Sequence, residues 1–160
     1  MDETTRQALR RTLGAYATGV AVVSAARADG GLCGITVNSF ASVSLDPPLV
    51  LWSLGEGSAR YDVFAAATHW GVTVLGADEE KLARRMAKPE SEGLQASEVD
   101  DLAGAPVLKA GLAHLACRTF EQRMMGDHLV IFGEVLGFRA APGTALTFYR
   151  GRYGALADEG

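Results

Sequence analysis

The chain has 160 residues, 48% hydrophobic and 21% charged, with a formal net charge of −4 at pH 7. That is one domain's worth of sequence, taken here as a single domain over 1–160, and its apolar content excludes disorder as the dominant state. An isoelectric point near 5.3 argues against a nucleic-acid binder, and no apolar run approaches the ~20 residues that a membrane span requires.

Residues 4–16 predict a helix capped by Thr4 or Thr5, with Leu9, Leu13 and Tyr16 on one face. The acidic, polar residues before it do not read as a secretory signal. Residues 19–25 predict a buried strand, and Asp29-Gly30-Gly31 a hairpin turn that returns the chain through 32–37. Residues 40–44 alternate until Asp46-Pro47-Pro48 breaks them, and 49–54 predict the next strand. Gly55-Glu56-Gly57-Ser58 reads as a loop, with Ser58 capping a short helix over 59–67. A strand over 70–75 precedes a helix over 78–88, whose acids fill the first turn and whose bases fill the last. Leu82 and Met86 are its inward pair. Residues 89–104 read as a polar, mobile loop. Two long strands follow at 114–122 and 129–139, joined by 124–127, then a short one at 146–149. Strands outnumber helices and strand–helix–strand units are few, which predicts a mainly antiparallel barrel with flanking helices.

The charge is local. Residues 78–104 hold eight acids and four bases, which equals the chain's whole net charge. The remainder is balanced and suits an anionic ligand. The two cysteines, Cys33 and Cys117, lie in apolar strand contexts and read as reduced packing thiols of a cytoplasmic protein. Trp52 and Trp70 read as core or interface residues. No G-x-G-x-x-G fingerprint, phosphate-cradling G-x-x-x-x-G-K-[ST] loop or Cys-x-x-Cys pair occurs, and His69, His114 and His128 are too far apart in sequence to suggest a metal site.

One stretch is dense in hydroxyls and amides yet alternates like a strand: Gly34-Ile35-Thr36-Val37-Asn38-Ser39-Phe40-Ala41-Ser42-Val43-Ser44. Such small donors and acceptors suit a polar heteroaromatic ring and a phosphate. A strand with a polar outer face and a serine-rich turn would read the same way.

In context with Ala17-Thr18-Gly19-Val20, Gly126-Asp127-His128, Gly133-Glu134-Val135 and the run 146–153, the chain resembles the flavin reductase-like family. These are the FMN-binding split barrels of short-chain NAD(P)H:flavin oxidoreductases, including the reductase components of two-component monooxygenases. The resemblance spans about residues 5–156. It implies a six-stranded antiparallel split barrel, mainly β with flanking helices. It also implies a homodimer with flavin, FMN or FAD, at the interface. Hydride would pass from NADH or NADPH to flavin, and reduced flavin would serve a partner flavin-dependent monooxygenase. By resemblance, Thr36, Val37, Asn38, Ser39, Ala41 and Ser42 line the ring and ribityl chain. Ser53 through Ser58 and Arg60 hold the phosphate, and Arg84 and Arg85 reach its end. His128 is the catalytic histidine near the nicotinamide, and Tyr149, Arg150 and Arg152 border the groove. Each also has an architectural reading: a helix cap for Ser58, last-turn helix residues for Arg84 and Arg85, a strand-start surface residue for His128, and solvated or ion-paired side chains for Arg150 and Arg152. Glu56 departs from the family pattern, because a carboxylate in the phosphate loop repels phosphate unless it points away. His69-Trp70 is bulkier than the family pattern leads one to expect. Two other readings share the fold: a flavoprotein with its own redox substrate, and a non-enzymatic module that holds flavin or haem.

Overall fold

Asp2, rather than Thr4 or Thr5, starts the first helix, α1 (Glu3–Leu13): its carboxylate accepts the Thr5 N–H at 2.7 Å. The computed structural model describes residues 1–89 and 93–156. No residue of α1 is buried, and Leu9, Leu13 and Tyr16 stay exposed in the single chain.

The strands are β1 (Thr18–Gly19), β2 (Ala21–Ala26), β3 (Leu32–Val37), β4 (Ala41–Leu45), β5 (Pro48–Gly55) and β6 (His69–Val74). They continue as β7 (Val99–Leu102), β8 (Ala105–Leu108), β9 (Ala113–Met125), β10 (His128–Ala140), β11 (Leu146–Tyr149) and β12 (Arg152–Ala155). Two further helices are α2 (Tyr61–Ala66) and α3 (Glu80–Ala87). The large sheet runs β3-β2-β6-β9-β10-β5-β4, so it has seven strands rather than six. Its pairs are all antiparallel. The extra strand arises because residues 38–40 break one continuous polar segment into β3 and β4, which become the two opposite edges. That short connection therefore spans the split. Smaller sheets, β1-β11-β12 and β7-β8, flank it. Among the described residues no helix is long and apolar enough to cross a membrane.

Period-two alternation explains the core. In β5, Val50, Trp52 and Leu54 point inward, against Ile131 and Leu129 of β10. Trp52 meets Phe64 of α2 edge-on at 5.1 Å and Trp70 of β6 at 6.1 Å, and all three are fully buried. Both tryptophans are thus core. Gly133 makes room for them, because a Cβ there would lie 2.4 Å from Trp70 Cζ2. A second cluster joins Val20, Val22, Leu75, Met86 and Leu146 beneath α3. There Ala83 and Met86 are the fully buried pair, and Leu82 is half-buried against the same cluster.

Three other expectations change. Within 89–104, residues 90–92 lie outside the described residues, but Val99–Leu102 form a hairpin with β8 instead of a loop. Asp100 tolerates strand placement because Arg139 of β10 donates to it at 3.0 Å. The run after 149 turns at Arg150-Gly151 and continues as β12, with φ of 48° and 79° at the two turn residues. Ser58 does not start a helix directly: α2 begins at Tyr61, and the Ser58 hydroxyl accepts the Arg60 N–H at 3.2 Å. Both cysteines are buried and unpaired, and burial pushes the Cys117 thiol up to about 12.

Candidate functional site

The end of β3 opens onto a groove. Thr36, Val37 and Asn38 face Val20, Phe148 and Tyr153 across a pocket of about 150 Å3, with Ala87 of α3 at its rim. It shares Val20, Val37 and Asn38 with a recess of about 230 Å3 that reaches Gly19, Phe40 and Val74. Its walls are largely apolar. Val37 is buried, whereas the Asn38 side chain is exposed and has no hydrogen-bond partner among the described residues.

Two hydroxyls of the predicted set are spent on architecture. Thr36 Oγ1 donates to the Ala83 carbonyl at 2.7 Å, which ties β3 to α3. Ser39 Oγ accepts the Ser53 N–H at 3.0 Å. The pairing of β4 with β5 ends at Ala41 and Leu51, so Ser39 extends that ladder by one link across the split. Ala41 and Ser42 stand exposed at the start of β4, beside a bulge between Ser42 and Ser44.

Three of the five predicted arginines, Arg60, Arg84 and Arg85, are held by protein partners. Arg60 is buried and its guanidinium donates to the Lys88 carbonyl at the end of α3. Arg84 is held by Glu80 at 2.7 Å and lies 4.9 Å from the centre of the Tyr153 ring. Arg85 pairs with Glu98. Burial raises the Tyr153 phenol above its ordinary value.

The hairpin β11–β12 divides its residues by face. Phe148 and Tyr153 are cross-strand partners with ring centres 5.2 Å apart, and they line the groove. The neighbouring pair, Tyr149 and Arg152, instead lines an adjoining recess of about 510 Å3 with Arg150. Sequence reasoning named Tyr149 and Arg152 and missed Phe148 and Tyr153. The signal was available: once 150–151 is read as a hairpin turn, alternation assigns the two aromatic residues to one face.

His128 starts β10 opposite Gly55. Its Nδ1 is bonded to Asp127 Oδ1 at 2.7 Å, and this hydrogen bond holds the Asp127 carboxyl below its ordinary value. The Asp127 carbonyl accepts the Glu56 N–H at 3.0 Å, which joins the turn to the Gly55–Ser58 loop, where Glu56 is exposed. Ser53 and Gly55 are two residues apart on β5, so His128 stands roughly 7 Å along the strand from the Ser39 link. The site therefore gathers Thr36–Asn38, Phe148 and Tyr153 around one groove. Arg84 sits over its rim, and Ser39, Ser53 and His128 lie on the neighbouring edge. Arg60 lies apart, against the end of α3. Among the described residues no three His, Cys, Asp or Glu side chains come close enough to hold a metal ion.

A family model described as "Flavin reductase like domain" matches residues 13–157. The chain is 42% identical over 159 residues to "FMN reductase (NADH) SmoA" of Agrobacterium fabrum, covering 96% of this chain and 87% of that protein. It is 32% identical over 145 residues to the reductase component of a 4-nitrophenol 4-monooxygenase/4-nitrocatechol 2-monooxygenase of Rhodococcus opacus, covering 91% and 78%. Two further curated relatives are about twice as long, and the chain spans 47% and 48% of them. Among solved structures, the Streptomyces globisporus NADH:FAD oxidoreductase SgcE6, in complex with NAD and FAD fragments, superposes with a TM-score of 0.87 at 35% identity, covering 99% of this chain and 97% of that one. With a match of this length and a sheet split at the same polar segment that the sequence singles out, the chain belongs to the flavin reductase-like family.

Proposed function

We propose that this chain is an NADH-dependent flavin reductase that carries hydride to free FMN or FAD and passes reduced flavin to a separate flavin-dependent monooxygenase. One observation carries the reading. The segment 36–42 wraps from one edge of the split sheet to the other, and its residues 36–38 and 40 line two joined recesses with apolar walls and an unspent carboxamide. An isoalloxazine ring needs flat apolar surface along its body and hydrogen-bonding groups at its edge, and the groove supplies both.

When bound, the nicotinamide supplies the hydride and the flavin ring accepts it; the protein's share is placement. Val20, Val37 and Phe148 exclude water from the ring seat. Asn38 holds the polar edge, and Ala41 and Ser42 offer backbone and hydroxyl groups beside it. Arg84, pinned by Glu80 over Tyr153, presents its cation at the rim where a phosphate would lie. With Nδ1 engaged by Asp127, His128 keeps a fixed ring orientation and leaves Nε2 toward Gly55 and the solvent. In this reading His128 steadies the nicotinamide.

The working unit of this reading is a homodimer in the cytoplasm. Exposed Leu9, Leu13, Tyr16, Leu45, Phe120 and Phe138 leave apolar surface that a second copy would cover. Two unpaired thiols accord with a reducing compartment.

The test is NADH oxidation at 340 nm with and without free FMN, FAD or riboflavin. Oxidation that needs both protein and added flavin supports the reading. Flavin binding by fluorescence quenching with no oxidation for any pair refutes it and promotes the non-enzymatic module. Retained flavin with negligible turnover of free flavin promotes the flavoprotein with its own substrate.

A further inference from the structure

The chain has twelve arginines. Among the described residues, Arg6, Arg27, Arg84, Arg85, Arg118, Arg123 and Arg139 are each ion-paired, and Arg60 is bonded to the Lys88 carbonyl. The remaining four, Arg10, Arg11, Arg150 and Arg152, have no carboxylate partner there, and they converge on one face. The Arg150 N–H donates to the Gly14 carbonyl at 2.9 Å, which clamps the end of α1 onto the β11–β12 turn. Arg10, Arg11 and Arg150 then line a recess of about 770 Å3. Arg150 also lines the recess that holds Arg152 and Tyr149, and Tyr153 is common to that recess and the groove. The three spaces form one track.

Arg150 sits at φ 48°, a left-handed conformation that its neighbour Gly151 adopts freely and an arginine does not. The backbone keeps an unfavourable residue at the junction of the two recesses. Its guanidinium lies 5.3 Å from the centre of the Tyr149 ring, which gives a flat platform beside a cluster of cations.

We propose that this track takes the adenylate–diphosphate arm of a dinucleotide whose other ring occupies the groove; this rests on the reductase reading above. Arg10, Arg11 and Arg150 hold the diphosphate, and Tyr149 with Arg150 offers the surface for the purine. Recesses of this size match nucleotide sites, and guanidinium forks suit phosphate oxygens. FAD and NADH share this arm, and the experiment separates them.

The test measures ADP binding by calorimetry to the wild-type protein, the double variant R10Q/R11Q, R150N and the control R27Q, together with KM for FAD, FMN and NADH. Arg10 and Arg11 lie on a helix with no buried residue, so R10Q/R11Q folds, and asparagine accepts the left-handed turn, so R150N melts at or above the wild-type temperature. ADP affinity is expected to fall about tenfold in R10Q/R11Q and in R150N and to hold in R27Q. A raised KM for FAD with an unchanged KM for FMN assigns the arm to the flavin; a raised KM for NADH with either flavin assigns it to the nicotinamide donor. Absence of ADP binding, equal binding by R10Q/R11Q, or a fall in ADP affinity that moves neither KM overturns the proposal. ADP binding that R10Q/R11Q loses, in a protein that oxidises no NADH, refutes the reductase reading and leaves the anion site standing.

Discussion

Replacing Ser39 by alanine separates architecture from ligand binding at the split. The Ser39 hydroxyl accepts the Ser53 N–H at 3.0 Å, in the stretch of β5 beyond its last pairing with β4. Removing it leaves that N–H without its partner. Ser53 is only half-buried, so water reaches it in part, and the cost stays near that of one hydrogen bond, about 1 kcal/mol, rather than the ~3 kcal/mol of a fully buried orphan. For a domain of this size 1 kcal/mol corresponds to a Tm lowered by about 2–4 °C. The assay is a thermal melt without flavin, followed by a flavin titration. Ser42 is the comparison, because it is exposed and its hydroxyl has no protein partner among the described residues. S42A is expected to melt with the wild type and to weaken flavin binding; S39A is expected to lose stability before any flavin is added. An S39A protein that melts at the wild-type temperature would falsify the assignment of this hydroxyl to the sheet.

H128A is expected to raise KM for NADH or lower kcat with flavin affinity nearly intact, and D127N to reproduce part of that effect by freeing the imidazole; unchanged kinetics in both would make the turn a surface feature. The Asp127 carboxyl is held below its ordinary value by the His128 hydrogen bond. Its contribution is therefore present above the normal carboxylate range and is lost only as pH falls through the depressed value, so protonation of Asp127 itself should bring the wild-type KM toward the D127N value only below about pH 4 in a kinetic pH profile. G133A places a Cβ 2.4 Å from Trp70 in a core with no slack. Overpacking of this kind costs about 3 kcal/mol, a loss of about 6–12 °C in Tm by scanning fluorimetry, and a wild-type melt would show that the core yields. The Cys117 thiol is raised to about 12, so the folded state holds its proton where the unfolded chain loses it. Stability is then full below about pH 9 and falls by up to ~1.4 kcal/mol per unit as pH climbs toward the folded value. C117A should flatten that slope in alkaline urea melts, and native protein at pH 8 should leave both thiols unmodified by a thiol reagent.

Much of the fold was legible because burial imposes period two. The alternation over 114–122 and 129–139 marks strands that the structure extends to Ala113–Met125 and His128–Ala140, and the run 146–149 is observed as read. What hid β7 was charge: Asp100 and Asp101 look like loop residues until Arg139 is placed beside the first of them. What hid β12 was Arg150, which occupies a turn position where asparagine or glycine is the usual signal. The polar segment 34–44 was legible as a distinct unit, and part of it lines the groove, but the fate of its hydroxyls was not legible. An alternating pattern says which side a serine faces. It does not say that a backbone N–H on another strand has lost its ladder partner, as Ser53 has, or that a helix carbonyl waits above it, as Ala83 does.

That distinction also locates function. In a reductase whose bound rings carry the electrons, the protein contributes groups that the fold itself has not used. Thr36, Ser39 and Arg60 stabilise the scaffold through the Ala83 carbonyl, the Ser53 N–H and the Lys88 carbonyl. Asn38 and Ser42 have no such partner among the described residues; Asn38 lines the groove, and Ser42 is exposed near the start of β4. The same sorting separates seven ion-paired arginines from the four that meet around Arg150. Changes to Thr36, Ser39 and Arg60 should therefore appear in melting temperature before ligand is added, and changes to Asn38, Ser42 and the four converging arginines in KM at an unchanged melting temperature. A T36V protein with lowered Tm and wild-type flavin KM, set against an N38A protein with the reverse, would tie the division between scaffold and site to the hydrogen bonds themselves.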